Sequence, residues 1–211
     1  MKKRITDDSP ILYGILGQGQ ASSDEELVDK AKAAFAGGCD IIQLREKNIS
    51  TSDYYRRASL LRTITAEAGK LLFINDRLDI AMAVEADGVH LGQEDLPLVK
   101  ARALWPQGLI GVTVRNATTA RQAEIDGADY VGAGPVFTPF SKELDVKTLG
   151  YEGLRELCAI VNIPVIAIGG LDESNLEGLR GTGARGAAMI AAIFKQENPQ
   201  EAARTLKSLL Y

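Results

Sequence analysis

Two cations and an amide occupy alternate positions where an apolar segment ends, because Gln43, Arg45 and Lys47 follow Asp40-Ile41-Ile42. In a β-strand, alternate side chains project from the same face, so the three would lie together. Burial of such a trio without partners costs several kcal/mol per group, so the face should open onto solvent or an anionic ligand. We interpret it as a phosphate or diphosphate site. The alternative is a strand end whose charges pair with neighbouring carboxylates.

Two carboxylates, Asp76 and Asp95, follow two neighbouring apolar segments. Mg²⁺ prefers oxygen ligands, is often held by one or two carboxylates, and completes its coordination with water and phosphate oxygens. Beside the cations near residue 45, the pair suits a diphosphate chelated by one Mg²⁺ ion. The alternative for either aspartate alone is a helix N-cap, since each precedes an apparent helix.

A second anion site is indicated where glycine and other small residues follow two later segments. Gly169-Gly170 and the stretch from Gly186 to Ala192 would let backbone N–H groups approach a phosphate closely. The alternative is tight packing of the segment ends against each other.

A long connection from Thr138 to Gly150 contains Pro139, Ser141 and Lys142. Such a loop beside a site is a candidate lid that excludes water from a reactive intermediate, and Lys142 would add a cation near a leaving group. The alternative is a solvated surface loop.

The only histidine is His90. A single histidine beside an apolar segment is more often structural, or held by its ring hydrogen bonds, than catalytic. Without a second histidine or a matched nucleophile, triad catalysis has little support, and we assign His90 no chemical role.

The elements that must position these residues alternate along the chain. A first helix should end at Gly37-Gly38, and the later helices are predicted at 52–68, 77–84, 95–104, 117–126, 151–161, 173–180 and 199–210. The predicted strands cover 11–16, 40–45, 71–75, 87–91, 109–114, 129–133, 164–168 and 185–190. Eight strands alternating with eight helices predict a (βα)₈ TIM barrel with its functional residues at the C-terminal strand ends. The alternative is an open, doubly wound sheet.

Composition agrees with a single catalytic domain over residues 1–211. The chain has 45% apolar residues and 24 Lys plus Arg against 28 Asp plus Glu, and the net charge of −4 argues against a nucleic-acid partner. Cys39 and Cys158 form no disulfide framework, so we expect a cytoplasmic protein. The sequence lacks a secretion signal and an apolar run of about 18 residues, so no membrane partner is expected.

Several motifs resemble those of the thiamine-phosphate synthase family, and the resemblance covers nearly the whole chain. They are Gln-Leu-Arg-Glu-Lys at 43–47, Ile-Asn-Asp-Arg at 74–77, Ala-Asp-Gly-Val-His-Leu-Gly-Gln-Glu-Asp at 86–95, Gly-Pro-Val-Phe at 134–137 and Ile-Gly-Gly at 168–170. The resemblance implies a Mg²⁺-dependent transferase of thiamine biosynthesis. Such an enzyme joins 4-amino-2-methyl-5-hydroxymethylpyrimidine diphosphate to hydroxyethylthiazole phosphate through a dissociative pyrimidine carbocation. The products are thiamine phosphate and diphosphate.

The resemblance also implies roles for individual residues. Asp76 and Asp95 would bind Mg²⁺, and the catalytic residues would be Arg45, Thr113 and Lys142. Substrate-binding residues would be Gln43, Arg45, Lys47 and Asn75 for the pyrimidine diphosphate, Lys142 for its diphosphate, Gly170, Ile190 and Ala191 for the thiazole phosphate, and Thr113, Pro139 and Ser141 around them.

Three departures from the family pattern bear on these roles. The family usually has Gly-Val-Ser and then a histidine two residues after the serine, whereas this chain has Thr113 and Arg115. The family's Pro-Thr-x-Thr-Lys is Thr-Pro-Phe-Ser-Lys at 138–142, so a hydroxyl contact to the thiazole phosphate would move or be lost. Ala191 replaces a common serine, which leaves only a backbone donor.

Two other functions compete with the synthase. A related thiazole tautomerase shares the fold, but its proton transfer is assigned to a histidine where this chain has Arg115, and arginine is a poor general base. A non-catalytic phosphate-ligand binding protein is the other alternative. It is disfavoured by the presence of both the Gln43/Arg45/Lys47 set and the Asp76/Asp95 pair. The sequence is compatible with a homo-oligomer as well as with a monomer.

Overall fold

The fold is a closed barrel of eight parallel strands in the order of the chain. The structure, a computed structural model, describes residues 5, 9–138 and 147–210. The strands are β1 Ile11–Gly17, β2 Ile41–Arg45, β3 Leu71–Asn75, β4 Gly88–Leu91, β5 Leu109–Val114, β6 Tyr130–Ala133, β7 Val165–Ile168 and β8 Gly186–Met189. β1 pairs with both β2 and β8, which closes the sheet. The predicted (βα)₈ barrel is confirmed, and the open sheet is excluded.

Eight α-helices surround the barrel in the described part of the chain. They are α1 Asp24–Ala36, α2 Thr51–Glu67, α3 Leu78–Ala83, α4 Leu98–Leu104, α5 Ala117–Ile125, α6 Gly150–Ile160, α7 Ala191–Phe194 and α8 Pro199–Leu209. α1 illustrates how the sequence starts them: the Ser23 hydroxyl accepts the Glu26 N–H and caps the helix. None of the described helices is long and apolar enough to cross a membrane.

Alternation along the strands separates two cores. One set of side chains packs inside the barrel, and the other packs between the barrel and the helices. The interior set includes the rings of Tyr13, Phe73 and Tyr130. Gly88 and Gly111 make room for two of these rings, because a Cβ atom there would lie 2.3 Å from Phe73 Cε1 and 2.0 Å from Tyr130 Cζ. The glycines thus allow the aromatic side chains to fill the barrel below its mouth.

The connection between β7 and β8 differs from its prediction. A full helix was expected at 173–180, but the described chain forms only a 3₁₀ helix, Leu176–Leu179. The Asn175 side chain donates to the Gly170 carbonyl oxygen at 2.8 Å, which ties the segment to the preceding turn. Gly178 faces the Tyr151 ring, where a Cβ atom would lie 2.2 Å from Tyr151 Cζ. A glycine in a helix interior costs about 1 kcal/mol relative to alanine, which disfavours a regular α-helix through this segment.

Candidate active site

A cavity of about 340 Å³ opens at the C-terminal ends of the strands and contains several of the polar residues singled out from sequence. Gln43, Arg45, Asn75 and Thr113 line it. The intervening residue of β2, Leu44, points into the core between barrel and helices, and Glu46 forms an ion pair with Arg57 of α2. The predicted alternation along β2 therefore directs Gln43 and Arg45 to the barrel mouth.

The two predicted cations differ in their surroundings. Arg45 lines the cavity, and its guanidinium has no ion pair with the residues that the structure describes. Lys47 lies past the end of β2, is half-exposed, and places Nζ 3.4 Å from Asp76 Oδ2. Lys47 therefore pairs with a carboxylate, as the alternative interpretation of this strand face expected. Arg45 keeps its charge available for an anion in the cavity.

Asn75 has a buried donor that finds no acceptor in the described part of the chain. Its side chain is 7% exposed, and Nδ2 has no hydrogen-bond partner among the described residues. The backbone beside it is held firmly, because Tyr54 Oη lies 3.0 Å from the Leu44 carbonyl oxygen and 2.9 Å from that of Asn75. An unsatisfied buried donor costs about 1 to 3 kcal/mol, so this amide fits a site that is completed by a ligand acceptor.

Asp76 and Asp95 come together as expected from the ends of β3 and β4. Partial burial raises the pKa of Asp76, and the Asp95 carboxylate raises it further, while Lys47 opposes the shift. Asp95 Oδ2 accepts the Gly92 N–H at 2.6 Å, which fixes the loop after β4. Asp76 has a φ of 63°, a left-handed conformation that aspartate and asparagine tolerate better than most residues.

The donor chemistry of this pair suits a cation. The described residues contain no group of three His, Cys, Asp or Glu side chains placed to hold a metal. Two adjacent carboxylates that repel each other, beside the Arg45 cavity, fit a hard cation that draws its remaining ligands from water and phosphate oxygens. The helix-cap alternative fails for Asp76, since Arg77 is the N-cap of α3, and for Asp95, since Pro97 is the N-cap of α4.

Three further residues of the cavity were not assigned from sequence. Tyr13, His90 and Tyr130 line it beside Gln43 and Thr113. His90 Nδ1 lies 2.8 Å from Tyr130 Oη, and Nε2 lies 2.9 Å from Thr113 Oγ1. Burial lowers the pKa of His90 to about 4, so the ring is neutral near pH 7. Alternation along β1 and β6 could have shown that the Tyr13 and Tyr130 side chains point into the barrel. It could not have shown that these two tyrosines contact each other.

A second cavity of about 330 Å³ lies at the ends of β7 and β8. Gly169, Gly170, Ile190 and Ala191 line it. Gly169 and Gly170 have φ values of 94° and 65°. A Cβ atom at Gly170 would lie 2.6 Å from the Phe137 carbonyl oxygen, so the backbone approaches more closely than a side chain would allow. Ala191 begins α7, and the first N–H groups of a helix lack intrahelical acceptors.

The two cavities adjoin. Both are lined by the same four residues of β7, β8 and the turns that follow them: Ile168, Gly169, Ala188 and Ile190. The first cavity presents an arginine, two amides, a histidine and the hydroxyls of one threonine and two tyrosines. The second presents mostly backbone and apolar side chains, with Asp172 and Gln196 as its polar side chains. Two ligands of different chemistry would therefore meet across a shared, largely apolar wall.

Some predicted site residues lie outside this description. Pro139, Ser141 and Lys142 are outside the described residues. Arg115, at the position of the family histidine, is exposed beyond the end of β5 and does not line either cavity.

Comparison with known proteins gives a consistent result. The family model described as thiamine monophosphate synthase (TMP-TENI) matches residues 12–193. Thiamine-phosphate synthase of Moorella thermoacetica is 42% identical over 87% of this chain and 88% of its own length. That of Chlorobium luteolum is 43% identical over 96% of this chain and 93% of its own. A solved structure of thiamine phosphate pyrophosphorylase from Pyrococcus furiosus superposes with a TM-score of 0.88 at 37% identity, covering 96% of both chains. The chain belongs to the thiamine monophosphate synthase family.

Proposed function

We propose that this protein is a thiamine-phosphate synthase, a transferase that joins the pyrimidine diphosphate to the thiazole phosphate and releases diphosphate. The observation that carries the proposal is the pair of adjoining cavities, one with cationic and amide groups and one with a glycine backbone. A reaction between two phosphorylated heterocycles needs two anion sites whose occupants touch. Family membership supports the same conclusion.

The pyrimidine diphosphate would occupy the cavity of Gln43, Arg45 and Asn75. Arg45 lacks an ion pair among the described residues, and Asn75 Nδ2 lacks an acceptor. Diphosphate oxygens would satisfy both groups, and an arginine can bind two such oxygens at once. Lys47, half-exposed at the rim, would add a second cation.

Asp76 and Asp95 would hold Mg²⁺, which was expected from the sequence and fits the repulsion between these carboxylates. When bound, the ion would neutralise charge that develops on the departing diphosphate. The chain's own contribution is to hold the two carboxylates: the Asp76 backbone N–H donates to the His90 carbonyl oxygen at 2.9 Å, and Gly92 orients Asp95.

The thiazole phosphate would lie against Gly170, Ile190 and Ala191. Close approach of the backbone is possible at Gly170, where no side chain intervenes. The carboxylate of Asp172 also lines this cavity, but its Oδ1 atom already accepts from the Ser174 backbone N–H at 2.9 Å. Because Ala191 has no hydroxyl, only the backbone would donate to the phosphate at this position.

Bond breaking would precede bond formation. Arg45 and the proposed Lys142 would stabilise the negative charge on the leaving diphosphate while the C–O bond breaks. The thiazole nitrogen would then attack the pyrimidine methylene cation across the shared wall, and Ile168 and Ile190 would limit access of water to it. Thr113 and the residues Pro139 and Ser141 are proposed to complete the binding of the substrates.

The two competing functions have weaker support. A tautomerase would need a general base near position 115, but Arg115 is exposed, and an arginine stays protonated. A binding protein without turnover would not need the paired carboxylates. The proposed cytoplasmic location and the oligomeric state stay predictions.

The deciding experiment is a mixed-substrate assay with the purified protein, both substrates and Mg²⁺, following thiamine phosphate and diphosphate. Equal amounts of the two products, abolished by EDTA and restored by added Mg²⁺, are expected. Tight binding of thiazole phosphate without either product would refute the synthase and favour a binding protein. Omission of each substrate in turn provides the control for background diphosphate release.

A further inference from the structure

A continuous series of hydrogen bonds crosses the barrel along the lining of the polar cavity. Gln43 Nε2 donates to Tyr13 Oη at 2.8 Å, and Tyr13 Oη lies 3.0 Å from Tyr130 Oη. Tyr130 Oη then lies 2.8 Å from His90 Nδ1, and His90 Nε2 lies 2.9 Å from Thr113 Oγ1. Five strands, β2, β1, β6, β4 and β5 in this order, contribute one residue each. The two ends of this network, Gln43 and Thr113, are proposed substrate-binding residues.

The number of protons fixes the direction of these bonds. An amide nitrogen can only donate, so Tyr13 accepts from Gln43. Among the described residues, Tyr130 Oη is the one remaining partner of the Tyr13 hydroxyl, so Tyr13 donates its proton to Tyr130 if every buried proton is to be used. Tyr130 then has its proton left for His90 Nδ1. A neutral imidazole carries one N–H group, which is therefore on Nε2 and donates to Thr113 Oγ1. Burial raises the pKa of both phenols above the ordinary value, so each keeps a proton to donate.

The direction of the hydrogen bonds has a consequence at each end of the network, Gln43 and Thr113. Thr113 Oγ1 accepts from His90, and no other described residue accepts the proton of its hydroxyl. Gln43 uses its nitrogen on Tyr13, which leaves Oε1 to accept from a ligand. The cavity would thus offer a hydrogen-bond acceptor at Gln43 and a donor at Thr113, and the opposite direction would exchange these properties.

We propose that Tyr13, Tyr130 and His90 are positioning residues that lock His90 as the Nε2–H tautomer, so that Thr113 presents its hydroxyl proton to the heterocycle bound in the cavity. Tyr13 and Tyr130 are each 1% exposed, and their hydroxyls are held among buried aromatic rings, with centroids of Tyr130 and Phe73 5.4 Å apart. In this proposal the hydrogen bonds of Tyr13 and Tyr130 act through His90 and set the polarity of a substrate-binding hydroxyl. Only the identity of the heterocycle rests on the proposed function.

The tautomer can be measured directly because His90 is the only histidine in the chain. Protein labelled with ¹⁵N-histidine should give one imidazole in a long-range ¹H–¹⁵N correlation spectrum at pH 7, with Nε2 protonated and Nδ1 not. Tyr130→Phe removes the donor to Nδ1, so the spectrum should shift towards a mixture of tautomers. Tyr55→Phe, an exposed tyrosine on α2, is the matched control and should leave the spectrum unchanged.

Kinetics supply the second readout. Tyr130→Phe and Tyr13→Phe should lower kcat/KM for the pyrimidine diphosphate about 10-fold, the effect expected of losing one oriented hydrogen bond. KM for the thiazole phosphate should change less than about twofold. Thr113→Val should show the same selective loss, and Thr113→Ser should restore activity because it keeps the hydroxyl.

Distinct results would overturn the inference and the proposed function. An Nδ1–H tautomer in the wild-type protein, or an unchanged spectrum in folded Tyr130→Phe, would refute the hydrogen-bond direction. If Tyr130→Phe does not fold, the wild-type tautomer and the Thr113→Val/Thr113→Ser comparison still decide. A wild-type protein that shows the Nε2–H tautomer but forms no thiamine phosphate would refute only the proposed function.

Discussion

Lys47 Nζ lies 3.4 Å from Asp76 Oδ2, so a cation beyond β2 faces a carboxylate at the end of β3. That carboxylate is at the same time repelled by Asp95, which raises its pKa. Lys47 compensates part of the negative charge on Asp76. Because Asp95 adds a second negative charge, one lysine is not enough to neutralise the pair. This local excess of negative charge underlies the first prediction.

Asp76→Asn and Asp95→Asn should each reduce the rate of thiamine phosphate formation about 100-fold or more at fixed Mg²⁺, because a metal ion supplies several kcal/mol of charge stabilisation. Asparagine keeps an oxygen and tolerates the φ of 63° at Asp76 better than alanine would. Thermal stability without Mg²⁺ should not fall. Asp29→Asn, on the exposed face of α1, is the control, and wild-type rates in both site variants would disprove the metal assignment.

Arg45→Lys and Arg45→Ala should raise KM for the pyrimidine diphosphate about 10- to 100-fold, the range expected for charge-assisted hydrogen bonds. Lysine should recover only part of the loss, since it cannot make the paired contacts of a guanidinium. KM for the thiazole phosphate should change little, because Arg45 does not line the second cavity. Equal increases for both substrates would contradict the proposed division of the barrel mouth.

Gly170→Ala should destabilise the protein and weaken binding of the thiazole phosphate. The added Cβ atom would lie 2.6 Å from the Phe137 carbonyl oxygen, and the residue has a φ of 65°. Gly181→Ala is a matched control, because its φ is 77° but nothing lies within 4 Å of the added atom. We expect a loss in unfolding free energy of about 1 to 2 kcal/mol at Gly181 and about 1 to 3 kcal/mol more at Gly170.

Denaturant unfolding, together with KM for the thiazole phosphate, measures both effects of the glycine variants. Gly181→Ala should leave that KM unchanged. If the two variants are equally stable and equally active, the close backbone approach at Gly170 has no functional meaning.

Arg57→Met should cost about 3 to 5 kcal/mol of unfolding free energy, since it leaves the Glu46 carboxylate buried without its charge partner. The Glu46 side chain is 1% exposed, and Arg57 Nη1 lies 2.5 Å from Oε1. The double variant Glu46→Gln/Arg57→Met should recover much of the loss. Arg56→Met removes an exposed neighbouring arginine that pairs with Asp24 and Asp53 and should cost no more than about 1 kcal/mol. A similar loss in both single variants would contradict the burial argument.

Cys39 should be unreactive towards a thiol reagent in the native protein at pH 8. Burial raises the pKa of its thiol to about 12, so the thiolate that reacts is scarce, and its fraction should rise only as the pH approaches that value. Burial also raises the pKa of Cys158, to about 11, but this residue is only partly buried. Labelling followed by peptide mass spectrometry should find Cys158 modified before Cys39, and both modified after denaturation. Rapid native labelling of Cys39 would contradict its burial.

The sequence alone determined the fold and four of the polar residues of the first cavity. The sequence predicts eight strand–helix units. Each unit buries the apolar face of its helix against the sheet, and eight such units can close into a barrel. Strand alternation placed Gln43 and Arg45 on one side of β2, which the structure confirms. The connection at 173–180 was predicted less well, because a packing contact between Gly178 and Tyr151 cannot be read from local propensity.

Only the tertiary structure decided which of these residues touch. Lys47 and Arg45 look equivalent in sequence, yet one pairs with Asp76 and the other lines the cavity. Tyr13 and Tyr130 lie 117 positions apart in the sequence. They and His90 are hydrogen-bonded because closure of the barrel places β1, β4 and β6 around one interior. Periodicity specifies which face a side chain occupies, whereas the partner across that face depends on strand register and ring packing, which are properties of the whole closed barrel.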